Sequence, residues 1–257
     1  MFTQVALQGK RRYMEDRAMV IDNFHGGYGL YIVCDGHGGD YVADFCMMHL
    51  PRVLRALLVS GMTPDKALGL TFVQLDDQVE WTHSYMTGTT CIVLLKHTDH
   101  FWIAHVGDSR AILNTGSSCV CLTKDHKPIG TEKDRIDRIE EGVVIKVGDI
   151  WRVNGELAVS RAIGDKRLRP YVIPEPEVRR YEIPATSRFV VMATDGLWDV
   201  MSCNQVNEMV MHTYLAAHND IMTSDREVVE TAGAVVRKYI NPIIEDNTLL
   251  IILHIRR

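Results

Sequence analysis

The sequence predicts a layered α+β domain in which buried antiparallel sheets are covered by helices. Short runs rich in Val, Ile, Leu and aromatic residues recur at 29–34, 90–95, 101–106, 143–147, 189–193 and 248–254, each bounded by turn residues. Many are apolar without strict alternation, the pattern of strands covered on both faces. The connector Lys96-His97-Thr98-Asp99-His100 is too short for a parallel crossover, so the second and third runs form an antiparallel hairpin. Helical segments with start signals lie between the strand runs, and helices laid on sheets define the layered class.

After the first strand run, residues 41–59 read as a helix that Pro51 should break or kink. Thr63-Pro64-Asp65 supplies an N-cap followed by Pro at the first helical position. Beyond the hairpin, Gly107-Asp108-Ser109 is a tight turn into 110–113, expected to continue the meander. Thr131 is placed to cap a charged helix running through Ile136 and Ile139. Ser202 with Gln205, and Ser224 with Glu227, have capping-box spacing. Val228, Ala232, Val235, Val236 and Tyr239 then recur at helical spacing.

The 257 residues carry no internal repeat, low-complexity block or linker, so the chain is expected to form one domain, 1–257. Lys plus Arg number 28 and Asp plus Glu 33, a net charge of −5 that argues against broad phosphate neutralisation on nucleic acid. The longest nearly apolar run, Thr248 to Ile255, is far short of the ~20 residues a bilayer span needs. No secretory signal pattern opens the chain, and no basic amphipathic helix or lipidation signal points to a membrane. Cys34, Cys46, Cys91, Cys119, Cys121 and Cys203 show no C-x-x-C spacing, which disfavours structural zinc and a thioredoxin-like pair. A reduced intracellular protein is expected, cytoplasmic and/or nuclear, monomeric, with no nucleic-acid or membrane partner.

The informative feature is where the carboxylates fall. Asp35, Asp108 and Asp195 each follow an apolar strand run, and Asp246 precedes one; Glu15 and Asp16 sit just after Lys10-Arg11-Arg12. Any one acid alone reads as a turn residue or helix cap. Several acids converging on one sheet edge would repel one another, and hard divalent cations relieve that repulsion. Asp35-Gly36-His37-Gly38-Gly39-Asp40 adds glycines that let backbone approach a ligand, and Asp195-Gly196 repeats the theme.

These motifs resemble the metal-dependent Ser/Thr protein phosphatases of type 2C, the PPM family. The matching stretches run in family order: Arg11-Arg12-Tyr13-Met14-Glu15-Asp16, Val33-Cys34-Asp35-Gly36-His37-Gly38-Gly39, Gly88-Thr89-Thr90, and Val106-Gly107-Asp108-Ser109-Arg110. They continue with Asp125-His126-Lys127-Pro128, Arg152-Val153-Asn154-Gly155 and Leu157-Ala158-Val159-Ser160-Arg161-Ala162-Ile163-Gly164-Asp165. The series ends with Ala193-Thr194-Asp195-Gly196-Leu197-Trp198-Asp199-Val200 and Asp246-Asn247-Thr248. The resemblance implies two packed antiparallel sheets flanked by helices, with two Mg²⁺ or Mn²⁺ ions at one end. Asp35 would bridge both ions, Glu15 and the Gly36 carbonyl would complete one site, and Asp195 and Asp246 would hold the other. A third, weaker site would use Asp108, Asp195 and Asp199, and Asp16 would orient water beside the ions.

The implied function is hydrolysis of phosphoserine and phosphothreonine in phosphoprotein substrates. A water shared by the two ions attacks phosphorus in line with the leaving oxygen. Arg11 is the expected phosphate clamp, because its planar fork matches two phosphoryl oxygens. His37 is the candidate general acid for the departing alkoxide, and His126 reads as structural or substrate-facing. The alternatives are an inactive family member acting as a protein-binding scaffold, disfavoured because the acidic set is intact, and a small-molecule phosphomonoesterase. His105 stands where the family usually has Asn, and Val143 follows Gly142 where a second Gly is common. The stretch Lys166 to Glu177 is expected as a short flap beside the site, its basic residues solvated or facing acidic phosphopeptides. Cys46 to Arg52 fits the C-x₅-R pattern of cysteine phosphatases, but it lacks glycine and reads as a helix face.

Overall fold

The computed structural model, which describes residues 1–218 and 225–255, explains why the apolar runs do not alternate: both faces of the sheets are covered. In chain order the elements are β1 (Phe2–Leu7), β2 (Arg17–His25), β3 (Tyr28–His37), α1 (Tyr41–Val59), α2 (Pro64–Gln78), α3 (Trp81–Ser84), β4 (Gly88–Lys96), β5 (His100–Val106), β6 (Arg110–Asn114) and β7 (Cys119–Cys121). They continue with α4 (Gly130–Asp137), β8 (Val144–Val147), β9 (Ile150–Val153), β10 (Ile163–Gly164), a 3₁₀ turn (Lys166–Leu168), β11 (Glu177–Glu182), β12 (Phe189–Ala193), α5 (Asp195–Trp198), α6 (Cys203–His218), α7 (Asp225–Ile240) and β13 (Thr248–His254).

One sheet has the order β1-β13-β12-β6-β7; the other runs β11-β5-β4-β3-β2, with β10 added beside β4. The strand pairs are antiparallel. Tyr31 and Val33 of β3 meet Leu249 and Ile251 of β13 in the layer between the sheets. The opposite faces point outward to helices: Leu30, Ile32 and Cys34 pack with α1 and α2, and Leu250 and Ile252 pack with α6 and α7. This is the two-sheet sandwich with outer helices that the sequence led us to expect.

Three local expectations are corrected. α1 runs unbroken through Pro51. An interior proline costs about 3 kcal/mol, while each fully buried large apolar side chain contributes about 1.5–3 kcal/mol. Val42, Cys46, Leu50 and Leu54 along α1 are all fully buried, so packing outweighs the local penalty. The turn at Gly107 does not continue the meander. With φ at +91° it sends the chain into the other sheet, where β6 pairs with β12 and β7. Thr131 does not cap its helix: α4 begins at Gly130 after Ile129 and ends before Ile139.

Other local signals match. Thr63 precedes α2 with Pro64 in its first turn. The Ser202 N–H donates to Gln205 Oε1 at 2.8 Å and the Gln205 N–H to Ser202 Oγ at 3.4 Å, a reciprocal capping box. Ser224 lies outside the described residues. Cys46 is fully buried within α1, so the C-x₅-R segment forms a helix and no phosphate loop. The hairpin β8–β9 packs with α4 and Val159 around a small separate cluster.

Candidate active site

The two sheets bring their acidic strand ends to one cleft of 610 Å³. Glu15, Asp35, Gly36, His37, Asp108, Asp195, Asp199 and Asp246 all line it, as does Arg11, although they are spread over more than 230 residues of sequence. Asp35 comes from β3, where its N–H donates to Thr90 Oγ1 at 3.3 Å. Asp108 sits in the turn that changes sheets. Asp195 opens α5, directly after β12. One carboxylate oxygen from each of Asp35, Asp108 and Asp195 lies within 4.8 Å of the others.

The N-terminal acids are held against the last strand. The Glu15 N–H donates to Asn247 Oδ1 at 2.8 Å, and Asn247 Nδ2 donates to the Gln8 carbonyl at 2.9 Å. Asp16 is buried, and its Oδ2 accepts from Thr194 Oγ1 at 2.9 Å. Its Oδ1 has no hydrogen-bond partner. An orphaned carboxylate oxygen beside other acids is costly unless a cation or an ordered water satisfies it.

The electrostatics point the same way. Burial, with help from Asp16, Asp195 and Asp108, pushes the Asp35 carboxyl well above the ordinary range. Burial lifts Asp16 to about 7, with Asp195 and Asp246 adding to the rise. Asp195 rises to about 6, through burial and then repulsion from Asp108 and Asp199. Within the set, Asp108 pairs with Lys127, and Asp246 Oδ2 accepts from Arg11 Nη2 at 2.5 Å.

His37 faces the cleft with its ring fixed. Its Nε2 lies 2.7 Å from Asp165 Oδ2. Burial lowers the affinity of the ring for a proton, but Asp165 outweighs it and the net shift is upward. Asp165 holds a left-handed backbone, φ +48°, and its N–H donates to the Thr87 carbonyl at 2.9 Å. Gly88 makes the pairing possible, since a Cβ there would stand 2.0 Å from Asp165 Oδ2 and 2.6 Å from His37 Nε2. Buried Asp76 anchors the adjoining turn, accepting from the Gly164 N–H at 2.8 Å, Lys166 Nζ at 3.0 Å and Arg169 Nη2 at 2.6 Å.

Sequence reasoning gave no role to Asp165, Lys127, Asn247 or Thr194. Each lies inside a quoted motif, so the signal was present. The flap expectation is corrected: residues 166–177 do not line the cleft, and Lys166 and Arg169 turn onto Asp76 rather than solvent. The cleft is lined instead by Ile129 and by Asp149, Ile150, Trp151 and Arg152 of the β8–β9 hairpin. His126 is structural: its Nδ1 accepts from the Gly107 N–H at 3.1 Å, and its ring stacks on His105.

Comparison with known proteins gives concordant findings. The family described as protein phosphatase 2C matches residues 2–239. A probable protein phosphatase 2C from Arabidopsis thaliana is 35% identical over 202 residues, 76% of this chain and 53% of its own length. The chain thus spans about half the length of that curated relative. Two solved structures share the fold. A sex-determining protein of C. elegans has a TM-score of 0.86 and 24% identity, covering 100% of this chain and 65% of its own. A serine-threonine phosphatase 2C from Toxoplasma gondii has a TM-score of 0.73 and 23% identity, covering 98% of this chain and 94% of its own.

Proposed function

The chain belongs to the protein phosphatase 2C family, and from that premise and its acidic cleft we propose that it is a metal-dependent protein serine/threonine phosphatase. The observation that carries the reading is the convergence of Asp35, Asp108 and Asp195 within 4.8 Å, with Asp16 Oδ1 left unpartnered beside them. The donor set is all oxygen, which suits Mg²⁺ or Mn²⁺ rather than softer metals.

The residues divide by position. Asp35, Glu15 and the Gly36 carbonyl would hold one ion, Asp195 and Asp246 with Asp35 a second, and Asp108 with Asp195 and Asp199 a weaker third. Two ions so held would neutralise the carboxylates and supply an activated water for in-line attack on phosphorus. Asp16, braced by Thr194, would take a hydrogen bond from the water beside the ions through its free oxygen. Arg11, exposed at the mouth, offers its guanidinium fork to two phosphoryl oxygens.

His37 supplies the proton to the leaving serine or threonine oxygen. Its Nε2 is committed to Asp165, so the proton offered to the substrate is carried on Nδ1. Asp165 fixes the ring plane and stabilises the imidazolium, as a carboxylate does behind a catalytic histidine. The protein works, in this reading, as a single monomeric catalytic domain inside the cell, consistent with its free cysteines. Its substrates are phosphoproteins.

The test is direct. Purified protein with Mg²⁺ or Mn²⁺ should release phosphate from phosphoserine or phosphothreonine peptides, and chelator should abolish the release. If phosphopeptides stay intact at excess Mn²⁺, the scaffold reading replaces this one.

A further inference from the structure

Away from the cleft, three cysteines meet where the edge strand β7 lies against the start of α6. Cys121 Sγ and Cys203 Sγ are 3.2 Å apart, although 82 residues separate them in the chain. Cys121 is exposed and Cys203 half-buried, so small oxidants reach the pair from solvent. Cys119 is turned differently: its Sγ points at the Cys203 carbonyl and Asn204 Oδ1, each at 3.5 Å.

Cys203 packs on one side against the core beneath α6 and turns its sulfur towards a cation. Arg110 Nη1 donates to its sulfur at 3.5 Å. The guanidinium is held in place by a two-pronged pairing with Asp125, at 3.1 and 2.8 Å, and lies over the Trp198 ring. Electropositive, partly exposed surroundings are where cysteine oxidation concentrates. The buried trio Cys34, Cys46 and Cys91 has no such access.

We propose that Cys121 and Cys203 are a redox modification site, forming a reversible disulfide that ties β7 to α6 when the protein meets a peroxide. The Cys203 thiolate attacks one peroxide oxygen; the O–O bond breaks, an S–O bond forms, and hydroxide leaves to become water. The Cys121 sulfur then attacks the Cys203 sulfur; the S–S bond forms, the S–O bond breaks, and the sulfenic oxygen leaves with the Cys121 proton as a second water. The two sulfurs lose two electrons, which the peroxide gains. The site lies outside the cleft and does not depend on the phosphatase reading.

The experiment treats the full chain, in Mg²⁺ rather than redox-active Mn²⁺, with hydrogen peroxide and reads it by peptide mass mapping. A cross-link between the peptides carrying Cys121 and Cys203 is expected, with loss of two free thiols and reversal by dithiothreitol. Closing so long a loop should raise Tm by roughly 5–10 °C. Cys119 and Cys121 share a tryptic peptide, so variants decide between them. Cys119→Ser should keep the cross-link. Cys121→Ser should abolish it and leave a sulfenic acid on Cys203 that a dione probe traps. A cross-link that survives Cys121→Ser, or disappears with Cys119→Ser, would overturn the assignment. So would a Cys203 that stays reduced in wild-type protein while other thiols oxidise.

Discussion

Two groups of buried acids in this molecule have opposite surroundings. Glu132 in α4 and Asp76 in α2 are each wrapped by cations. Glu132 accepts from Arg161 Nη2 at 2.6 Å, Arg135 Nη2 at 3.1 Å and Ser160 Oγ at 2.9 Å, and Asp76 takes Lys166 and Arg169. Burial works against the Glu132 carboxylate, but Arg161 and Ser160 outweigh it and bring it down to about 2. At the cleft, Asp35, Asp16 and Asp195 are driven upward instead. Burial alone therefore does not mark a functional acid. What distinguishes the cleft is a surplus of carboxylates over protein cations, a deficit that an external cation can fill.

The sharpest way to break that contrast is to remove one acid from each group. Asp195→Asn should lower phosphopeptide turnover on the order of 10³-fold. It should also leave the metal-free protein as stable as before or more so, because it relieves repulsion from Asp108 and Asp199. Kinetics with Mg²⁺ and thermal melts in chelator measure the two effects. A large loss of stability with activity kept would place Asp195 with Glu132.

Glu132→Gln should do the reverse. It leaves Arg161 and Arg135 without their carboxylate, a loss of about 3 kcal/mol, or roughly 6–12 °C in Tm. Turnover per folded molecule should hold, because Glu132 does not line the cleft. A variant with unchanged Tm would mean that the ion cluster contributes nothing net.

The contrast also explains what was legible in the sequence. The buried strands announced themselves through continuous apolar runs, and the cleft acids through their place at the ends of those runs. β1, β2 and β11 were missed. Glu177–Glu182 carries charged residues along an edge strand, and Phe2–Leu7 is ordered by pairing with Thr248–His254 at the far end of the chain. No local pattern encodes such a pairing. Asp165 and Asp76 were hidden for the same reason: one acts on His37 and the other on a turn some 90 residues away. The meander error came from reading Gly107 as a hairpin turn, when its positive φ redirects the chain between sheets. Cys121 and Cys203 escaped notice because spacing rules see only neighbours.

The smallest expected effect separates the two groups by the sign of their pH dependence. Glu132 has a folded pKa of about 2 against an ordinary 4.5. Its stabilisation is complete above 4.5 and is lost as pH falls through 2. Asp16 and Asp195 have folded pKa values of about 7 and 6 against an ordinary 3.8. Between those limits the folded protein holds protons that the unfolded chain has released, so their contribution is present below 3.8 and disappears as pH rises through 6 to 7. The cleft's contribution to the stability of chelator-treated protein should therefore fall from pH 5 to pH 8, while buried His105 and His126, which burial keeps neutral, pull the other way. Saturating Mg²⁺ should flatten that slope, since the ion takes the place of the protons, and Asp195→Asn should reduce it without metal. Thermal melts across the series decide the matter: a Tm gain on adding Mg²⁺ that stays constant from pH 5 to 8, with the same metal-free slope in wild type and Asp195→Asn, would mean the cleft acids are neutralised within the protein after all, as Glu132 is.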